Sequence, residues 1–212
     1  MASADQNSNL RSCLRDPVPE IFDSARYLDA AVSAHHAGKR AIADELIRLA
    51  NDPAVREWVE SLWGAGGPWT RPLHVEQPVP FMRREERLKV RMPSMADKKA
   101  LLARDGLHCR FCGIPLIRAE TRSLMCQAYP QALPWGIRNV DQHAGFQALW
   151  LQYDHLLPHA RGGTNDLGNM IVTCAPCNNG RSNLTLEEVG LSDPRLRDPV
   201  RSTWDGLERF RP

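Results

Sequence analysis

No apolar run in this chain approaches the ~20 residues that a membrane-crossing helix requires. The opening stretch, MASADQNSNLRSC, has no apolar core of the kind a secretory signal carries, so export is not expected. There is no internal repeat and no low-complexity tract, which argues against a solenoid or a tethering segment. Net charge is also scarce. The 27 Lys+Arg and 25 Asp+Glu leave only +2, so the chain as a whole is not a polycation.

What charge there is lies unevenly. Residues 1–80 hold 8 basic and 11 acidic side chains, whereas residues 81–99 hold 7 basic and 3 acidic, an excess that would attract a polyanion to that segment. A length of 212 residues, 42% of them hydrophobic, suffices for one ordinary domain with a smaller appendage.

Five stretches follow along the chain. Residues 1–20 read as a disordered tail. Residues 21–63 read as an N-terminal helical region: Leu28, Ala31, Val32 and His35 fall on one helical face, and Gly38 stops that helix. Ile42, Leu46 and Leu49 form a second stripe. Asp52-Pro53 is a cap with Pro at the first helical position, ahead of the stripe Val55, Trp58, Val59 and Leu62. The run Gly64 to Pro68 ends it. Residues 64–93 read as a linker and basic arm (RREERLKVR), and 94–185 hold the chemistry, with a helix capped by Ser94 and ended at Asp105-Gly106. Within it, about 114–148 reads as a helical insertion, a lid or wall if it is more than packing. Residues 186–212 read as a tail docked through Trp204 and Phe210. His35 and His36 read as packing or surface residues, and the N-terminal helices are candidates for self-association or for a partner subunit.

The six cysteines are unevenly informative. Cys109-x-x-Cys112-Gly113 and Cys174-x-x-Cys177 are two knuckles, and together they offer the four thiolates of a tetrahedral structural zinc. Such a closed set staples the fold and leaves no position for catalysis. Cys13 and Cys126 have no partner at this spacing and read as free thiols. In a chain without an export signal, paired cysteines point to metal in a reducing cytoplasm.

Between the knuckles, Leu149–Pro158 reads as an apolar strand that delivers Asp154-His155 to its end. A glycine loop follows, His159 to Asp166, then a second strand at Asn169–Thr173. The second knuckle opens a helix bearing Asn178 and Arg181. Strand, loop, strand and helix make a ββα unit, and the fold class is α+β.

These motifs, C-x-x-C, D-H-x-x-P, G-G, N and C-x-x-C-N, resemble the HNH, or ββα-metal, endonuclease family over about residues 98–184. The Asp-His pair and the final Asn are most similar to recombination endonuclease VII and to the HNH domains of CRISPR effector nucleases. The resemblance implies a treble-clef-like core and a bacterial, phage or mobile-element setting. It implies DNA phosphodiester hydrolysis, with His155 as general base, Asp154 and Asn178 as ligands of a catalytic Mg²⁺ or Mn²⁺, and Asn169 holding the loop and the His ring. It also implies a backbone carbonyl gripping that ring. Arg161 and Arg181, close in sequence, are candidates to hold flanking phosphates, while His159 reads as a solvated loop residue. The alternatives are a zinc-stabilised nucleic-acid- or protein-binding module without catalysis, and an RNA-cleaving HNH enzyme.

Overall fold

Asp52 caps its helix as its position suggests: Oδ1 accepts from Ala54 N at 2.7 Å, and Pro53 occupies the first helical turn. In the computed structural model, which describes residues 10–63 and 67–212, the first three helices are α1 (Pro19–His36), α2 (Arg40–Leu49) and α3 (Pro53–Leu62). The stripes of α1 and α3 face inward, with Leu28, Val32, Val55, Trp58 and Leu62 fully buried, whereas α2 buries Ala43 and Ile47 and leaves Ile42 and Leu49 of its expected stripe about half exposed. Gly64 to Gly66, expected to end α3, lie outside the described residues.

Residues 1–9 of the expected tail also lie outside the described residues. From residue 10 the chain is anchored, in contrast to the expectation of disorder to residue 20. Arg11 bridges to Leu191, and Leu14 is 1% exposed. An apolar side chain that reaches the core outweighs the polar composition around it.

Ser94 caps α4 (Met95–Asp105) in a reciprocal box with Asp97. Then come α5 (Ala119–Ala128), α6 (Ala144–Ala148), β1 (Leu151–His155), β2 (Met170–Cys174) and α7 (Ala175–Arg181). β1 and β2 form a two-stranded antiparallel sheet in which Asp154 faces Ile171 and His155 faces Met170. The architecture is α+β, with a single short hairpin among the helices of the described residues.

The insertion forms core. All five residues of α6 are buried, and α6 packs on α3, α1 and α7. The helical run expected from Asn139 to Leu149 begins as a 3-10 turn at Asn139–Asp141, and the chain turns helical again at Ala144. That helix is buried too deeply to swing as a lid, whereas residues 136–140 of the same stretch lie exposed. His143, before α6, is 0% exposed; its Nε2–H donates to Ile47 O at 2.8 Å, and its Nδ1 accepts from Phe146 N.

One hydrophobic cluster runs through the molecule. It includes α1–α3, Leu116, Phe146, Ile171, Val172 and, from the C-terminal tail, Leu207 and Phe210. The tail is also tied by Trp204, whose indole N–H donates to Leu116 O at 2.8 Å. Gly180 shows how closely α7 sits on the N-terminal segment: a Cβ there would meet Leu14 Cδ1 and Leu62 O at 2.8 Å. Among the described residues no helix is long and apolar enough to cross a membrane.

Candidate active site and metal centre

The first knuckle reaches the second by pairing with β2. Arg110 N donates to Val172 O at 3.0 Å, and the buried Asp105 carboxylate accepts from Val172 N at 3.0 Å. Cys109 and Cys112 thereby lie beside Cys174 and Cys177, despite the long stretch of sequence between the pairs. All four Sγ atoms are within 4.8 Å of one another. The Cys112–Cys174 separation is 3.7 Å, close to the ~3.8 Å edge of a tetrahedron with Zn–S bonds of ~2.3 Å. Burial pushes the Cys109 thiol up, but bonds from the other three cysteines and Thr173 outweigh it and hold it well below the usual range. The cluster can therefore hold a structural metal such as zinc. Cys13 and Cys126 stay free, and burial pushes Cys13 up to about 12.

At the other end of the hairpin the chain is folded back by Asn169. Its Oδ1 accepts from Leu157 N at 2.8 Å, and its Nδ2 donates to Thr164 O at 2.9 Å and Leu157 O at 3.2 Å. This crossing is so close that only glycine fits beside it: a Cβ on Gly163 would lie 1.8 Å from Leu157 O. Asn169 holds the loop as the family pattern implies; the His ring has a different holder.

That holder is Asn165. The amide Nδ2 donates to Val90 O at 2.9 Å and Met92 O at 3.2 Å, so its Oδ1 faces His155 Nε2 at 2.8 Å. A carbonyl oxygen only accepts, so Nε2 carries the proton and Nδ1 is the basic nitrogen. The expected backbone carbonyl is replaced here by a side-chain amide. Burial pushes the His155 imidazole down, a trend that His159 and Arg91 reinforce and the Asn165 bond and Asp154 oppose.

Asp154 is 6% exposed and closed by Arg181. Arg181 Nη2 lies 2.7 Å from both carboxylate oxygens, and Nε lies 3.1 Å from Oδ2. The same guanidinium donates to Leu156 O, Leu184 O and His155 O. Arg161 is likewise turned inward, onto Asn183 O, Val79 O and Glu188. Neither arginine is free for a flanking phosphate, which corrects that expectation: each is held by carbonyls and by a buried carboxylate. Asn178 precedes Arg181 by one turn of α7, on the same side of the helix, and is half-buried. Its side chain has no hydrogen bond among the described residues.

The basic arm is the part of the site that sequence reasoning left unplaced. Residues 81–93 run mostly extended, with one 3-10 turn at Arg84–Glu86, across the glycine loop. His159, expected in solvent, is half-buried under this arm; its Nε2–H donates to Leu88 O at 2.9 Å, and its ring centroid is 5.8 Å from that of His155. Asn165 and the arm carbonyls had no distinctive signal, because a loop Asn and a basic linker are both common.

The oxygen donors of Asp154 and Asn178, a carboxylate and an amide, are the types a hard cation takes. Arg181 already compensates the charge of Asp154, so such a cation would be held weakly. No curated protein and no solved structure matches the chain. The family model described as HNH endonuclease matches residues 146–184, which begin in α6 and leave the first knuckle outside the match. The hairpin, its loop and α7 thus lie within the segment that is similar to the HNH endonuclease family.

Proposed function

We propose that the protein is a metal-dependent endonuclease that hydrolyses DNA phosphodiester bonds on a zinc-stapled, ββα-metal, treble-clef-like core. The observation that carries this reading is the pinned tautomer of His155. With Nε2–H engaged by Asn165, Nδ1 keeps a lone pair for a water proton. As the water oxygen attacks phosphorus, Nδ1 takes that proton, and the bond to the 3′ oxygen breaks. Burial favours the uncharged ring, the form a general base requires.

Asp154 and Asn178 would hold the divalent cation, Mg²⁺ or Mn²⁺, beside this base. When bound, it offsets the negative charge that develops on the phosphate and the departing oxygen. Asn169 acts by position, closing the loop that carries Asn165. In this reading residues 94–185 are the nuclease unit, and the N-terminal helices of residues 21–63 brace α7.

A non-cutting, zinc-stabilised binding module is the second reading, and one observation favours it: Arg181 occupies the carboxylate that a catalytic cation needs. Plasmid nicking with Mg²⁺ or Mn²⁺ separates the two. Nicking is expected, with the rate falling by about 10²–10⁴ in His155→Ala. Equal nicking by the variant removes His155 from its role, and binding without cutting under either metal favours the module. An RNA substrate run alongside tests the RNA-cleaving alternative.

A further inference from the structure

We infer that the arm of residues 84–91 forms the groove that grips the DNA backbone, so that the cations holding substrate phosphates are Arg84, Arg87, Lys89 and Arg91. The inference rests on the nuclease reading for its substrate and stands on separate observations.

Beside the loop lies a cavity of about 720 Å³, lined by these four cations, by His159 and Asn183, and by one acid, Glu85. Four positive charges against one negative make it a site for a polyanion, unlike the mostly apolar lining of a small-molecule pocket of that size. None of the four cations forms an ion pair among the described residues, and only Arg87 makes a side-chain hydrogen bond, to Met82 O. Arg161 and Arg181 are by contrast consumed inside the fold. The free positive charge near His155 thus belongs to the arm.

The way the arm is fastened explains why its charges are free. It is pinned through its backbone: Leu88 O accepts from His159, Val90 O and Met92 O accept from Asn165, and Met82 N donates to Ala160 O at 2.9 Å. Phe81 lies under the Arg161 guanidinium, 4.2 Å from ring centroid to Cζ. Backbone anchoring leaves the side chains to project, and the same bonds hold the ring of the proposed base. His159, which lines the cavity, has its ring centroid 5.8 Å from that of His155, so the groove lies beside the proposed base.

The test is DNA binding without cutting. A short duplex is titrated with His155→Ala protein across a range of salt concentrations, with and without the added exchanges Arg84→Gln and Lys89→Gln. Each lost phosphate contact flattens the dependence of log K on log salt by about 0.9, so the double exchange is expected to flatten it by about 2. Lys39→Gln, remote in the N-terminal helices, is expected to leave the slope as it was. An unchanged slope and affinity in the arm variant overturn the groove, as does failure of the parent His155→Ala protein to bind. Arm-dependent binding by a protein whose wild type never nicks plasmid sustains the groove and removes the nuclease.

Discussion

At the residue scale the site is organised by two side chains that orient others. Asn165 decides which nitrogen of His155 is basic. Because burial lowers the pKa of His155, the acid limb of a pH–rate profile is expected below the ordinary value of about 6.5. Asn165→Asp puts a carboxylate on Nε2–H, favours the imidazolium, and is expected to move that limb to higher pH. Identical limbs in a kcat/KM profile of the two proteins would detach Asn165 from the ring. Arg181 carries the second arrangement. Arg181→Met leaves Asp154 buried without its counter-charge, a loss of about 3–5 kcal/mol that urea unfolding at neutral pH would register. A loss under 1 kcal/mol would mean that the carboxylate is solvated after all.

At the element scale the hairpin and α7 are held from two ends. One end is the asparagine clasp, where Asn169 meets a loop that can approach it only at Gly163. The other is the cysteine cluster, which brings the first knuckle and the cap of α7 together at a site that could hold one metal ion. The Cys174 thiol doubles as that cap, accepting from Cys177 N at 3.4 Å. A cation among four crowded sulfurs displaces their protons, so metal binding there would contribute to folding. A strong chelator is expected to remove about one zinc per chain by the four-thiolate stoichiometry and to lower the unfolding temperature. Native circular dichroism and an unchanged melting curve after complete metal removal would contradict the staple.

At the scale of the whole molecule, one core joins the N-terminal helices, the insertion and the hairpin, and a histidine is sealed inside it. Burial pushes His143 down to about 4, with the Ile47 carbonyl opposing the shift and the Arg56 charge adding to it. Below pH 6.5 the unfolded chain takes up a proton that the folded chain refuses until about pH 4. Stability present above pH 6.5 is therefore lost as pH falls through that window, by about 3 kcal/mol at ~1.4 kcal/mol per unit. His143→Gln is expected to flatten this part of the urea stability profile between pH 7 and 4.5. If both proteins lose stability equally, His143 is not the proton acceptor.

The local pieces were legible in the amino-acid sequence because each depends on near neighbours. Asp52-Pro53 and Ser94 start helices by bonds within one turn, apolar stripes repeat at the helical period, and C-x-x-C places two thiols on one turn. The Asp154-His155 strand end and the second knuckle follow the same logic. Tertiary structure decided whatever depends on partners far along the chain: Arg181 closing on Asp154, α6 sinking into the core, Leu14 anchoring a polar start, and Val90 and Met92 turning the Asn165 amide toward His155. An arginine close to an aspartate in the fold, and not in the sequence, is spent as a counter-charge before it can meet a phosphate. The physical reason is that burial and charge pairing are properties of the space around a group, which no local spacing encodes.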